Sequence, residues 1–319
     1  MADAPAGAVA AVDCGTNSTR LLVAGPDGAT LERTMVITRL GRGVDEARCL
    51  ADDAMARTLD VLSGYRAVID RHGASRARAV ATSAVRDAAN GGEFLDRASV
   101  VLGVRPELLS GQAEGTLSFR GATSGLDPAE GPFLVVDVGG GSTELVLGGG
   151  AGPAPVAVSM DVGCVRVTER FLTSDPPAPA ELRAGRDAVS ALLAGAAGQL
   201  DELATRNGSE RVAAARRLVG LAGTVSTAAV LDAGAETYSR DAVHHRVLRR
   251  DGVHAQLERL AAMDHASRLR VPGLEPERAD VIVGGLLVLV TVMEHFGFDE
   301  LLVSEADILD GIVIGLLGT

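Results

Sequence analysis

The sequence predicts an α/β protein built from two similar domains. Three observations carry that expectation. Apolar stretches of strand length alternate with segments of helical spacing along most of the chain. One strand-turn-strand motif occurs twice, a domain length apart. Val12-Asp-Cys-Gly-Thr-Asn-Ser-Thr-Arg-Leu-Leu-Val23 aligns without a gap on Val136-Asp-Val-Gly-Gly-Gly-Ser-Thr-Glu-Leu-Val-Leu147, sharing Val, Asp, Gly, Ser, Thr and Leu. Between the copies, Thr123 to Pro132 carries Gly125, Pro128 and Gly131 and reads as a linker. At roughly 100–200 residues per domain, a chain of 319 residues agrees with two.

The elements follow in order. Val9 to Asp13, Arg20 to Ala24 and Thr30 to Thr38 read as strands separated by glycine-containing turns. Ala51 to Arg71 has helical spacing, with Met55, Leu59, Leu62, Val68 and Ile69 on one side. A strand at Ala77 to Ala81, a helix at Gly92 to Leu102, a strand at Glu107 to Leu109 and a helix at Gln112 to Gly121 complete the first half. Phe133 to Asp137, Thr143 to Leu147 and Val156 to Met160 are the next strands. Helices at about Val165 to Leu172 and Pro179 to Thr205 are divided by Pro176, Pro177 and Pro179. A strand at Arg217 to Leu221 enters a helix through Gly223-Thr224. Val281 to Phe296 reads as a buried helix, Leu301 to Ser304 as a strand and Ile308 to Leu317 as a helix.

Composition narrows the chemistry. Hydrophobic residues make up 47% and charged residues 23%, enough for a core. The net charge of −12 and an aromatic content of 3% disfavour nucleic-acid partners. Every basic residue is arginine, which excludes a Schiff-base lysine and a Walker-type lysine. Cys14, Cys49 and Cys164 fit neither a disulfide framework nor a C-x-x-C metal site. Met1 to Gly7 lacks the basic start of a signal peptide, and Val281 to Met293 is too short for a bilayer, so a cytoplasmic protein without membrane attachment is expected.

The repeated hairpin suggests phosphate chemistry. An apolar strand ends on Asp13 or Asp137. Small residues then let the backbone turn tightly and offer N–H groups: Gly15, Thr16 and Asn17 in one copy, Gly139, Gly140 and Gly141 in the other. Ser18, Thr19, Ser142 and Thr143 add hydroxyls. A carboxylate beside an anion bed makes sense if it holds a divalent metal or activates water against phosphorus. The plain alternative, a turn that Gly and Asp merely make possible, loses weight because the pattern recurs. Gly223-Thr224 is a third such element, either a phosphate-binding helix start or a simple cap.

With these residues in view, the chain resembles the exopolyphosphatase/guanosine pentaphosphate phosphohydrolase family, within the actin, chaperone-ATPase and sugar-kinase superfamily. Besides both hairpins, the resemblance is carried by Ala81-Thr-Ser-Ala-Val-Arg-Asp-Ala-Ala-Asn90, Leu109-Ser-Gly-Gln-Ala-Glu-Gly115, Ser159-Met-Asp-Val-Gly-Cys164, Gly220-Leu-Ala-Gly-Thr224, Arg278-Ala-Asp280 and Val303-Ser-Glu305. It implies two ribonuclease-H-like (actin-like) domains, residues 1–125 and 126–304, with an interdomain cleft. A C-terminal helix at about 305–319 would return to the first domain, and the extra domain of longer relatives would be missing.

The implied reaction is release of orthophosphate from inorganic polyphosphate, assisted by Mg²⁺. The alternative substrate is guanosine pentaphosphate, a nucleotide of the stringent response. The resemblance puts the catalytic glutamate on Glu114 and metal or water handling on Asp137 and Glu144, with Asp13 a further metal candidate. Read without it, Glu114 is better taken as a first-turn glutamate favoured by the helix dipole, and only the resemblance reverses that preference. Many relatives carry two adjacent acids here, whereas Ala113 precedes Glu114 in this chain.

Arg20 and Arg86 are candidate phosphate ligands. His244-His-Arg-Val-Leu-Arg-Arg250, with Arg246, Arg249 and Arg250, reads either as a solvated loop or as a guide for a long polyanion. An extended arginine track would make binding of long chains the more salt-sensitive. A homodimer is expected. A kinase of the same superfamily and a non-hydrolytic polyphosphate or nucleotide sensor are the competing functions.

Overall fold

The computed structural model describes residues 7–149 and 153–318. The stretch read for a leader therefore lies, apart from Gly7, outside the described residues. Two compact units form, Met1–Gly121 with Ile308–Thr319, and Ala122–Asp307.

The first unit opens with β1 (Val9–Cys14), β2 (Ser18–Ala24) and β3 (Thr30–Ile37). It continues through α1 (Val44–Ala47), α2 (Asp52–Arg71), β4 (Arg76–Ala81), α3 (Ser83–Asp87), α4 (Gly91–Leu102), β5 (Glu107–Leu108) and α5 (Gly111–Thr123). The strands lie in the order β3-β2-β1-β4-β5. β1, β2 and β3 are antiparallel neighbours, whereas β4 runs parallel to β1 and β5 parallel to β4. β1 is central and buried along its whole length, which explains an apolar run without alternation.

Its side chains still divide by face. Ala10, Val12 and Cys14 meet the α2 and α4 residues Met55, Leu62, Phe94 and Leu102. Val9 and Ala11 meet Leu109 and the C-terminal helix Ile308–Leu317 through Ile308, Leu309, Ile312 and Val313. α2 starts with Asp52 and Asp53, ends with Arg71, and buries Met55, Leu59, Leu62, Tyr65 and Ile69 on one stripe. The Tyr65 hydroxyl donates to Thr19 O on β2 at 2.7 Å and locks that stripe to the sheet. Arg33 on β3 holds Asp310 of the C-terminal helix. At Gly311 a Cβ would lie 2.0 Å from Leu117 O, so only glycine lets that helix cross α5 so closely.

The second unit contains β6 (Phe133–Val138), β7 (Thr143–Gly148), β8 (Val156–Met160), α6 (Cys164–Phe171), α7 (Pro179–Asn207), β9 (Arg217–Leu221) and α8 (Gly223–Asp232). α9 (Arg240–Val243), β10 (Val247–Arg249), α10 (Arg250–Ala261), α11 (His265–Arg268), α12 (Ile282–Phe296) and β11 (Glu300–Val303) follow, before the C-terminal helix, α13 (Ile308–Leu317). The sheet order is β10-β11-β9-β6-β7-β8. Read from β8 to β11 it repeats the first sheet: an antiparallel trio, then two strands parallel to its first member. β10 is an added antiparallel edge. Both units are of α/β class and share this strand arrangement.

α12 is buried over most of its length and packs among α6, α7, α8 and α10. Its Gly284-Gly285 pair marks two close crossings. A Cβ on Gly284 would meet Thr168 Oγ1 at 2.6 Å and Cys164 O at 2.8 Å, and one on Gly285 would meet Thr224 Oγ1 at 2.3 Å. No helix among the described residues is long and apolar enough to cross a membrane.

One expectation is corrected here. The run His244 to Arg250 is not one solvated loop, because Val247–Arg249 form β10 and Arg250 starts α10. β11 supplies an open edge for Val247–Arg249, and an acid answers each cation: Arg246 meets Asp232 at 2.7 Å, Arg249 meets Glu300 at 3.3 Å and Arg250 meets Asp299 at 2.7 Å.

Candidate active site

In both units the candidate residues gather where parallel strands end, the edge at which open α/β sheets bind ligands. In the first unit these are the ends of β1, β4 and β5. The turn after β1 is closed by Gly15 N–H donating to Ser18 O at 3.0 Å. The Thr16 and Asn17 carbonyls accept from Gly41 N–H at 2.8 Å and Arg39 N–H at 2.9 Å. Because N–H and C=O oppose each other across a trans peptide, the amides of Asn17 and Ser18 face away from that loop. The Thr16 hydroxyl is instead paired with Ser83 Oγ at 2.8 Å, and Thr19 with Thr38 at 2.9 Å.

Arg20 lies directly across from Asp13 on β2, and its Nε and Nη2 donate to Asp13 Oδ2 at 3.0 and 2.6 Å. The residue expected to bind phosphate thus neutralises the one expected to bind metal.

Glu114 lies in the first turn of α5. Ser110 caps this helix, accepting Ala113 N–H on Oγ at 3.2 Å, while its carbonyl takes Glu114 N–H at 2.9 Å. The Glu114 side chain is 12% exposed, and Arg86 stands beside it with Nη1 at 3.6 Å from Oε2. The same nitrogen donates to Leu109 O at 3.0 Å, so the residue after β5 fixes Arg86 and Arg86 flanks the carboxylate. Neighbouring Cys14 is inert, since burial and then the Asp13 charge push its thiol far above the usual range.

The second unit repeats the turn: Gly139 N–H donates to Ser142 O at 3.0 Å, the same bond at the same length. Here the start of α6 anchors it. Cys164 N–H donates to Gly139 O at 2.9 Å, and Val165 N–H to Gly140 O at 2.9 Å. The amides of Gly140 and Gly141 therefore face away from α6. Gly163 makes this approach possible, since its Cβ would lie 2.6 Å from both carbonyl oxygens.

Asp137 and Glu144 are direct cross-strand partners on β6 and β7, and Ser159 on β8 continues the row. Both carboxylates are buried, and Ser159 Oγ donates to Glu144 Oε1 at 2.7 Å. Strand pairing brings Ser159 there, which strand periodicity plus the register of β7 and β8 could have revealed. Thr143 turns to the opposite face and donates to Val162 O at 2.6 Å, so its hydroxyl belongs to the scaffold. Among the described residues no three His, Cys, Asp or Glu side chains form a metal-holding cluster.

The third element starts α8 after β9. Ala222 caps it at φ 74°, a left-handed backbone held by its surroundings. A Cβ on Gly223 would be 1.6 Å from Arg278 Nη1, so a side chain there would displace that guanidinium. Thr224 is buried against Gly285. Beyond it, Glu305 receives Ser226 Oγ and Tyr238 Oη, each at 2.5 Å, and its N–H donates to His244 Nδ1 at 3.0 Å. Only Val303-Ser-Glu305 hinted at this cluster in the sequence. Burial pushes the Cys164 thiol up to about 11, which removes it as a nucleophile.

Comparison with known proteins identifies the family. The Ppx/GppA phosphatase family matches residues 23–319. The chain belongs to this family. It is 41% identical to Exopolyphosphatase 2 of Mycobacterium tuberculosis, over 97% of this chain and 98% of that one. It is 30% identical to the guanosine-5'-triphosphate,3'-diphosphate pyrophosphatase of Vibrio campbellii, covering 95% of this chain and 58% of the relative. The crystal structure of an exopolyphosphatase-like protein superposes with a TM-score of 0.88 at 35% identity, covering 96% of this chain and 98% of that one. As a Ppx/GppA member the chain keeps two elements of its sequence resemblance at strand ends, the paired hairpins and the Ser110–Glu114 helix start.

Proposed function

We propose that the chain is an exopolyphosphatase, a phosphoanhydride hydrolase that releases orthophosphate from the end of inorganic polyphosphate. The observation that carries this reading is full-length similarity to an exopolyphosphatase, joined to two glycine-containing turns, each closed by the same bond and each with two amides facing outward. Backbone N–H groups aimed at phosphoryl oxygens stabilise the charge that builds up there in the transition state.

Glu114 is the base. It orients a water on the terminal phosphorus and takes its proton as the new P–O bond forms. The bond to the bridging oxygen then breaks, releasing orthophosphate and a chain one phosphate shorter. Arg86, fixed by Leu109 O, keeps the carboxylate in place and puts a positive charge beside it. The amides of Asn17, Ser18, Gly140 and Gly141 hold phosphate oxygens, with the α8 start at Gly223 and Thr224 as a further contact.

Asp137 and Glu144 fit a divalent cation. Two cross-strand carboxylates, one steadied by Ser159, are an oxygen-only donor set, and among the described residues no third His, Cys, Asp or Glu joins them. That is how Mg²⁺ is commonly held when phosphate oxygens and water complete its shell. When bound, the ion would neutralise phosphoryl charge. Asp13, already bonded to Arg20, is assigned to electrostatic balance of the first hairpin instead.

Phosphate release should be measured side by side on polyphosphate, guanosine pentaphosphate and ATP with Mg²⁺. Polyphosphate is expected to be the fastest, and Glu114→Gln should lower kcat by about a hundredfold or more. Preference for guanosine pentaphosphate would shift the substrate to the nucleotide. Tight binding without turnover would make the chain a sensor, and full activity of Glu114→Gln would remove Glu114 as base.

A further inference from the structure

Thr82 follows β4 directly and stands between the first hairpin and the helix that carries Glu114. Its N–H donates to Cys14 O at 3.3 Å, at the end of β1. The carbonyl before it, Ala81 O, accepts Leu109 N–H at 3.0 Å, and Ser110 then caps α5. Its own carbonyl accepts Arg86 N–H at 3.1 Å, and the Arg86 guanidinium flanks Glu114. Thr82 is 4% exposed. Among the described residues no group pairs with its hydroxyl, whose oxygen keeps contact with solvent.

Strand alternation gives the side on which that hydroxyl lies. On β4, Ala79 and Ala81 pack with α2 and α4, whereas Val80 packs with Ala11, Leu109 and α13. Thr82 continues the Val80 row. Asp13, which pairs with Val80 and continues the row of Val9 and Ala11, shares that side, and Ala113 and Leu117 of α5 pack there. The loop that binds the carbonyls of the first turn is on the other side, where Leu40 packs with Ala84 and Val85. Ser83, one residue on, bonds Thr16 on that side, against Gly41. The Thr82 hydroxyl therefore lies away from the carbonyl loop, as the Asn17 and Ser18 amides do, and on the side of α5.

The second sheet gives this position an equivalent. Asp137 pairs with Leu221 as Asp13 pairs with Val80, so two residues further on Gly223 matches Thr82. Where the second unit has bare backbone, the first presents a hydroxyl.

We propose that the Thr82 hydroxyl donates to an oxygen of the terminal phosphoryl group while Glu114 orients the water. A hydroxyl turns its proton toward whichever acceptor arrives, and a bond to a charged oxygen is stronger than one to a neutral group. This inference rests on the exopolyphosphatase reading and adds a substrate contact to it.

The test compares Thr82→Val, which keeps the shape and loses the hydroxyl, with Thr82→Ser, which keeps the hydroxyl. Phosphate release is assayed on tripolyphosphate and long-chain polyphosphate, and binding of tripolyphosphate is measured in a Glu114→Gln background. Denaturant midpoints are read beside both. Thr82→Val should lower kcat/KM about tenfold on both substrates and weaken binding by a similar factor, the loss expected for one bond to a charged group. Thr82→Ser should recover most of it. With no protein partner to lose, Thr82→Val should unfold at or above the wild-type midpoint. Unchanged kcat/KM and binding in Thr82→Val, or a Thr82→Ser variant equally impaired, overturns the proposal. So does a loss of kcat/KM that comes with a lowered midpoint, which would assign the hydroxyl to the scaffold. Wild-type protein that releases no phosphate from polyphosphate would overturn the functional reading instead, while the binding comparison would still test the Thr82 contact.

Discussion

At Gly163 a hydrogen in place of a methyl group decides where the second hairpin points its amides. The residue caps α6 in extended backbone, so strain is not the reason for glycine; proximity is. Gly163→Ala pushes a methyl against the Gly139 and Gly140 carbonyls, and neither backbone can yield without turning the N–H groups of Gly140 and Gly141. The variant should lose about 1–3 kcal/mol, as overpacked sites do. Its KM for polyphosphate should rise as well, and denaturant midpoints read beside KM would show whether both effects occur together. Stability loss with unchanged KM would mean that the amides do not bind substrate. Residue roles were only partly legible in the sequence. Gly, Asp and Ser announced the turns, but hydroxyl direction depends on which face a strand shows. That is why Thr143, read as a phosphate ligand, bonds Val162 while Ser159, not singled out, holds Glu144.

Among elements, the long amphipathic and apolar ones were readable. α2 shows a single stripe and β1 a run of buried residues, both written directly in the spacing. α9 and α11, each four residues long, give no period to read, and β10 exists because β11 offers an edge. α10 buries Val253, Leu257 and Leu260 at helical spacing, yet its arginine-rich start masked it. The start of α7 makes a separate point. Glu181 gathers the Ser174 and Thr173 hydroxyls and Ala178 N–H, which hold its carboxyl down at about 2. A carboxylate depressed in the folded state stabilises above its unfolded value and loses that contribution as pH falls through the folded one. Thermal stability should therefore decline from about pH 4.5 toward pH 2 more steeply in wild type than in Glu181→Gln. Parallel acid profiles would show that solvent screens this exposed cluster completely.

For the whole molecule, a net charge of −12 opposes every polyanionic ligand at long range. Arginines spread over the surface do not reverse this where acids answer them, as Asp232, Glu300 and Asp299 answer the densest basic run. The expectation that long chains would be the more salt-sensitive therefore needs arginines other than these three. Capture at a few local phosphate contacts should give nearly equal salt dependence of KM for tripolyphosphate and for chains of hundreds of units. At roughly 0.1 M salt, screening acts over about 10 Å, a range that a local site spans and a long track exceeds. A markedly steeper dependence for long chains would reveal a track formed by other arginines.

The two sheets share one strand order, and their hairpins share one closing bond, but the residue opposite the aspartate is Arg20 in one and Glu144 in the other. Duplication preserved shape while divergence reversed the sign of a single side chain. One cradle settled its own charge; its twin kept two acids face to face. A graft of one hairpin onto the other's scaffold would therefore fit sterically and still fail chemically, because geometry was inherited in common and the polarity of the partner was not.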